Sequence, residues 1–119
     1  MELRHLRYFV AVAEELHFGR AAARLGVAQP ALGRQIKDLE REIGAPLFER
    51  VPRGVELTAA GSAFLPEARL TLVQAERAQR TAQRAARGET GRLRVGFVEA
   101  ATHSGILPDV LSFFRAHMP

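Results

Sequence analysis

Gln29, Pro30, Gly33, Arg34 and Lys37 recur along one side of a short stretch, with Arg41 one turn further on. Glutamine and arginine end in planar groups that make paired hydrogen bonds to the major-groove edges of adenine and guanine. Arginine also meets phosphate bidentately, where lysine acts as a point charge. A further candidate, Arg53, stands in Pro52-Arg53-Gly54. Those are turn residues that would put its guanidinium at a tip, within reach of a phosphate or the minor groove. Together these side chains suit the recognition of double-stranded nucleic acid. On an isolated helix Arg34 and Lys37 would be solvated charges and nothing more, so the elements that carry them decide the matter.

Other chemistries lack their residues. Without cysteine there is no disulfide framework and no thiolate metal site. His5, His17, His103 and His117 show no ligand spacing, so no metal and no cofactor is expected, and they read as surface or packing residues. No general acid–base pair and no nucleophile elbow is visible, which argues against an enzyme. No apolar run approaches a membrane span, and the opening MELRHLRYF is not a signal peptide. The expectation is a cytoplasmic protein with no membrane partner. A hydrophobic content of 47% with 25% charged residues is that of a folded chain. The net charge of +4 permits nucleic-acid binding without requiring it.

The positioning elements follow from periodicity and punctuation. Leu6, Phe9, Val10, Ala13 and Leu16 give one apolar face to a helix over 3–16. A short alanine-rich helix over 20–25 closes at Gly26. A third helix opens after Val27, with Pro30 in its first turn, and ends at Gly44. Its buried stripe is Leu32, Ile36, Leu39 and Ile43, which turns the candidate residues outward. Two strands over 47–51 and 55–57 form a hairpin around Arg53. Two helices joined by a tight turn and buttressed by a preceding one make a helix-turn-helix, whose second helix reads the major groove; the hairpin is its wing.

Thr58 is the N-cap of a long helix reaching about Arg87. Gly61, Leu65, Ala68, Leu72, Ala75, Gln79, Ala82 and Ala86 alternate spacings of four and three, a heptad-like seam. Its length favours a partner helix, so Leu65, Ala68, Leu72 and Ala75 are the candidate dimerisation residues. Arg69, Glu76, Arg77, Arg80, Arg84 and Arg87 form a solvated outer face, and Glu14, Glu15, Asp38, Glu40 and Glu42 read as helix-surface charges, Asp38 pairing with Arg41. Pro66 should bend the helix slightly. A hinge over 88–91, a strand over 93–98, a loop over 99–105 and a helix over 106–117 read as the truncated start of an α/β domain, since one strand and one helix cannot bury a core. The expected organisation is mainly α: a winged helix-turn-helix over 1–58, a linker and dimerisation helix over 59–87, and the truncated unit over 88–119. The strand over 93–98 should find an edge in another chain.

The segments AVAEE, AAARLGVAQPALGRQIKDLE, GAPLFER and LTAAG, with GRLRVGF further on, carry a family pattern. The chain resembles the N-terminal part of LysR-type transcriptional regulators, continuously over 1–61 and more loosely beyond. The resemblance implies a dimer or tetramer joined through linker helices, binding an interrupted palindrome at a promoter. It also implies a C-terminal domain that binds a small effector, with Ala100 and Thr102 near the effector loop, and RNA polymerase as a partner. Gln29, Pro30 and Arg34 match the family's base- and backbone-contacting positions, and Arg53 the wing tip. The chain departs from the pattern at three places: Gly33 and Ala28 stand where serine is usual, and Gly19 stands where serine or threonine caps the second helix. Besides a sequence-specific, effector-responsive regulator, two readings remain: a non-specific architectural DNA-binding protein, and a helical protein-interaction module.

Overall fold

The computed structural model describes residues 1–88. The expected strand over 93–98, the helix over 106–117 and the effector positions Ala100 and Thr102 lie outside the described residues. The fold is mainly helical: α1 (Leu3–Glu15), α2 (Phe18–Leu25), α3 (Gln29–Ile43), β1 (Phe48–Val51), β2 (Gly54–Leu57) and α4 (Ala59–Ala86). The strands pair antiparallel, with Arg50 opposite Val55 and Val51 opposite Gly54, so Pro52 and Arg53 form the turn. This is a winged helix-turn-helix followed by a long helix.

Helix ends follow from who satisfies their free backbone groups. The Glu2 N–H donates to His5 Nδ1 at 3.0 Å, which opens α1 and buries the imidazole. At α2 the cap is His17 rather than Gly19: its Nδ1 accepts from the Arg20 N–H at 3.0 Å. A Cβ at position 19 would come within 2.9 Å of the His17 ring, so the imidazole fills the space a side chain there would need. Ala28 precedes α3 with no side-chain cap, and Pro30 sits in the first turn. Thr58 caps α4 as expected, its hydroxyl accepting from the Gly61 N–H at 3.0 Å and donating to the Pro46 carbonyl at 2.7 Å. The helix continues through Pro66.

The core is assembled around Phe9, which has no exposed surface. Its ring meets Phe48 of the hairpin at 5.3 Å and Phe64 of α4 edge-on at 5.0 Å, so one side chain joins three elements. Leu6 and Val12 from α1, Ala21 and Ala22 from α2, Leu32, Ile36 and Leu39 from α3, and Leu47 and Val55 of the wing complete it. Two expected members are outside. Leu16 is 41% exposed because, as the left-handed C-cap of α1, it has left the helical periodicity. Ile43, 39% exposed, is the last residue of α3 before Gly44.

The wing is pinned to the corner between α1 and α2. The Val55 N–H donates to the Leu16 carbonyl at 3.2 Å. Gly54 lies at φ 147°, and a Cβ there would collide with that same carbonyl oxygen. Close approach recurs at Gly61, where a Cβ would strike the Leu47 carbonyl oxygen. The compact unit reaches Val73, well into α4, because Phe64, Ala68 and Leu72 pack on the core.

Candidate nucleic-acid interface

One side of α3 is anchored by Leu32, Ile36 and Leu39, all buried. Gln29, Pro30, Arg34 and Lys37 are exposed as a consequence, and Gly33 is half-buried beside them. The Arg34 side chain makes no ion pair or hydrogen bond among the described residues and is free for a ligand. Arg41 is engaged by Asp38, as its spacing suggested. The N-terminal two turns of α3 therefore present an amide, a pyrrolidine ring and two cations on one face, next to a gap left by Gly33. No heavy atom lies within 4 Å of where a Gly33 Cβ would be.

The wing stands alongside this face. A cleft of about 480 Å³ lies between Pro30, Gly33 and Lys37 on α3 and Phe48, Arg50 and Val55 on the wing. Arg53 is exposed at the hairpin turn and, like Arg50, makes no ion pair among the described residues. The position of the wing rests on Glu40, which was expected to be a surface charge. Its side chain is only 13% exposed, and Oε2 accepts from the Leu47 N–H at 2.7 Å and, less closely, the Phe48 N–H at 3.4 Å. Leu47 precedes β1 and Phe48 opens it, and a carboxylate is a strong acceptor for their amides. Lys37 Nζ lies 3.9 Å from the other Glu40 oxygen.

Arg50 was not singled out in the sequence. The signal was present, because strand alternation puts residues 48 and 50 on one face, and a phenylalanine at 48 would turn that face toward the core.

The seam expected on α4 is partly used within the chain. Ala68 is 1% exposed and belongs to the core, and Gly61 is buried against Leu47. Neither is available to a second chain, because the stripe that looked like a dimer seam covers the domain's own apolar surface first. Leu65 and Leu72 are half-buried against the same core, and Ala75 is half-buried. The exposed large apolar side chains of α4 are Leu70, 40% exposed, and Val73, 51% exposed.

Arg69, expected in a solvated arginine face, reaches Glu14 of α1 at 3.0 Å, and Arg24 of α2 reaches the other Glu14 oxygen at 2.7 Å. The hydrogen bond from Arg24, and then that from Arg69, holds the Glu14 carboxyl below the usual carboxylate range. Among the described residues no cluster of side chains suits a metal ion, and no helix is long and apolar enough to cross a membrane.

A family model described as bacterial regulatory helix-turn-helix protein, lysR family, matches residues 3–62. The HTH-type transcriptional regulator AlsR of Bacillus subtilis is 54% identical over 119 residues, covering 100% of this chain and 39% of AlsR. The HTH-type transcriptional regulator BudR of Klebsiella aerogenes is 51% identical over 114 residues, covering 95% of this chain and 80% of BudR. Among solved structures, the CbnR_DBD–DNA complex is similar with a TM-score of 0.70 and 50% identity, over 72% of this chain and 99% of that one. The chain spans only 39–40% of the length of relatives such as AlsR and the Escherichia coli regulator YnfL. On the match over 3–62 and the winged helix-turn-helix it folds into, the chain belongs to the lysR family of bacterial regulatory helix-turn-helix proteins.

Proposed function

We propose that this chain is the DNA-binding part of a sequence-specific transcription regulator. The observation that carries the reading is the exposed face of α3: Gln29, Pro30, Arg34 and Lys37 face outward on a helix whose other side is locked into the core. A rigidly held helix of this kind enters the major groove with its first turns against base edges. Gln29 and Arg34 then read bases, Pro30 and Gly33 allow close approach, Lys37 meets the backbone, and Arg53 reaches the neighbouring minor groove. Support comes from the similarity to the CbnR_DBD–DNA complex, 50% identical over 72% of this chain and 99% of that one.

The rest of the reading concerns the whole protein. It acts in the cytoplasm as a dimer or tetramer on an interrupted palindrome. A small effector binds a C-terminal domain to which Ala100 and Thr102 belong, and RNA polymerase is the further partner. Dimerisation uses α4, with Leu70 and Val73 joining Leu72 and Ala75 and the free side of Leu65. A helix extending past its own domain with apolar side chains uncovered is suited to a second copy.

Selection of binding sequences from a pool of random duplexes tests the reading. The expected result is enrichment of one interrupted palindrome, bound at least about a thousandfold more tightly than the starting pool. Equal affinity for both would instead make the protein an architectural one. Binding that does not weaken with added salt would point to protein docking, because phosphate contacts release counterions.

A further inference from the structure

The side chain of Gln29 reaches back to the start of α2. Its Oε1 lies 3.4 Å from where a Gly19 Cβ would be. The nearest atom to that same point is His17 Cε1, at 2.9 Å. Gln29 is the first residue of α3, is exposed, and makes no side-chain hydrogen bond among the described residues. The imidazole beside it does not hold the amide, because its Nδ1 is taken by the Arg20 N–H at 3.0 Å. The amide oxygen of a base-reading glutamine thus rests over α2 with nothing bound to it.

Adenine needs both ends of that amide: the oxygen accepts from the N6 amino group while the nitrogen donates to N7. An oxygen tied to α2 would face away from the groove and leave only the two amide N–H groups, which suit the acceptors of guanine instead. A hydroxyl at position 19 could make that tie, since an Oγ carried on a Cβ 3.4 Å away comes within hydrogen-bonding reach of Oε1. We infer that Gly19 is a specificity-determining residue: carrying no hydroxyl, it keeps the Gln29 oxygen free, so that Gln29 selects adenine. Gly19 acts through Gln29 and not on the base. The inference rests on the major-groove reading proposed above and names the base that Gln29 takes there.

Housing the His17 ring would by itself account for a glycine, so the test removes that ring. It uses the 119-residue chain and selection from the random-duplex pool. Gln29→Ala first identifies, in the enriched duplex, the base pairs that depend on Gln29, and adenine is expected at them. His17→Ala then leaves Gln29 Oε1 as the nearest neighbour of a side chain at 19. In that background Gly19→Ser should lower the preference for adenine over guanine at those base pairs roughly five- to tenfold. Gly19→Ala, a methyl without a hydroxyl, should leave the preference as it was. Affinity for the random pool, carried by phosphate contacts, should be the same for all three proteins. Equal preference in the serine and alanine variants overturns the inference, as does a base other than adenine at the Gln29-dependent pairs. A loss spread evenly over every duplex, random pool included, overturns it too, because it reports on the fold of α2. If the parent enriches no sequence, sequence-specific reading fails and this inference with it; enrichment indifferent to position 19 sinks this inference alone.

Discussion

Gly33 and Gly54 show how differently two glycines are held. Nothing lies within 4 Å of a Gly33 Cβ, and the residue sits inside α3. Gly33→Ala should therefore stabilise the protein by about 0.8–1.0 kcal/mol, read as a raised melting temperature. If the glycine serves close approach to DNA, the same variant will lose affinity for the enriched duplex and keep its affinity for the random pool. At Gly54 the substitution works the other way. An alanine methyl meets the Leu16 carbonyl, and the Val55–Leu16 hydrogen bond must open to admit it. Gly54→Ala should cost well over about 1 kcal/mol in denaturant unfolding, and an unchanged midpoint would mean that the wing is not pinned there. The gain at Gly33 is readable from the sequence, since the residue lies inside a helix; the cost at Gly54 is not, because the sequence shows only a turn glycine there. What separates them is a carbonyl oxygen contributed by a residue far away in the chain.

Among the elements, α4 has two different faces to serve. Val73→Glu, at a 51% exposed position, should convert dimer to monomer in sedimentation equilibrium while leaving the melting curve of the domain nearly intact. Persistence of the dimer would place the contact elsewhere on the helix. Leu72→Glu is a poorer probe, because Leu72 also packs on the core and its loss would unfold part of what it reports on. The helices and the hairpin were legible because capping, turn residues and apolar spacing are local signals, and Thr58, Pro30 and Gly44 act where the sequence suggested. The role of the α4 stripe was not legible. Heptad spacing says that Ala68 and Leu72 are covered, and is silent on whether the cover is the same chain or another. Glu40 was misread for a related reason: a carboxylate on a helix looks solvated until the backbone leading into a strand, seven residues later, needs an acceptor.

At the scale of the molecule, Glu14 ties α1 to α2 and to α4 through Arg24 and Arg69. Its carboxyl is held below an ordinary value of 4.5 in the folded state, so the contribution is present above that value and disappears as the pH falls through the lowered one. The groups are 36–50% exposed, and screening keeps the contribution to about 1 kcal/mol or less. Glu14→Gln should flatten the acid side of the stability profile below about pH 4.5 relative to the parent. High salt should shrink the difference, whereas a profile parallel to the parent's would deny the junction a role. A partner 55 residues away in the chain leaves no trace in local periodicity, so the sequence could show Arg69 only as one of a row of arginines.

The imidazole that opens α2 also limits how this sequence can drift. While His17 is the cap, a Cβ at position 19 crowds its ring, and the imidazole has to shift from the position in which it accepts the Arg20 N–H. Gly19→Ser alone forces the ring aside, and His17→Ala alone leaves the Arg20 N–H uncapped. In the pair the crowding is gone, because an alanine at 17 has no ring to displace. The cost of Gly19→Ser therefore depends on whether His17 is present, which is epistasis between residues two apart. Lineages that share this fold should therefore exchange the two positions together, and a double-mutant cycle on helix stability should show a coupling of about 1 kcal/mol, the worth of one cap.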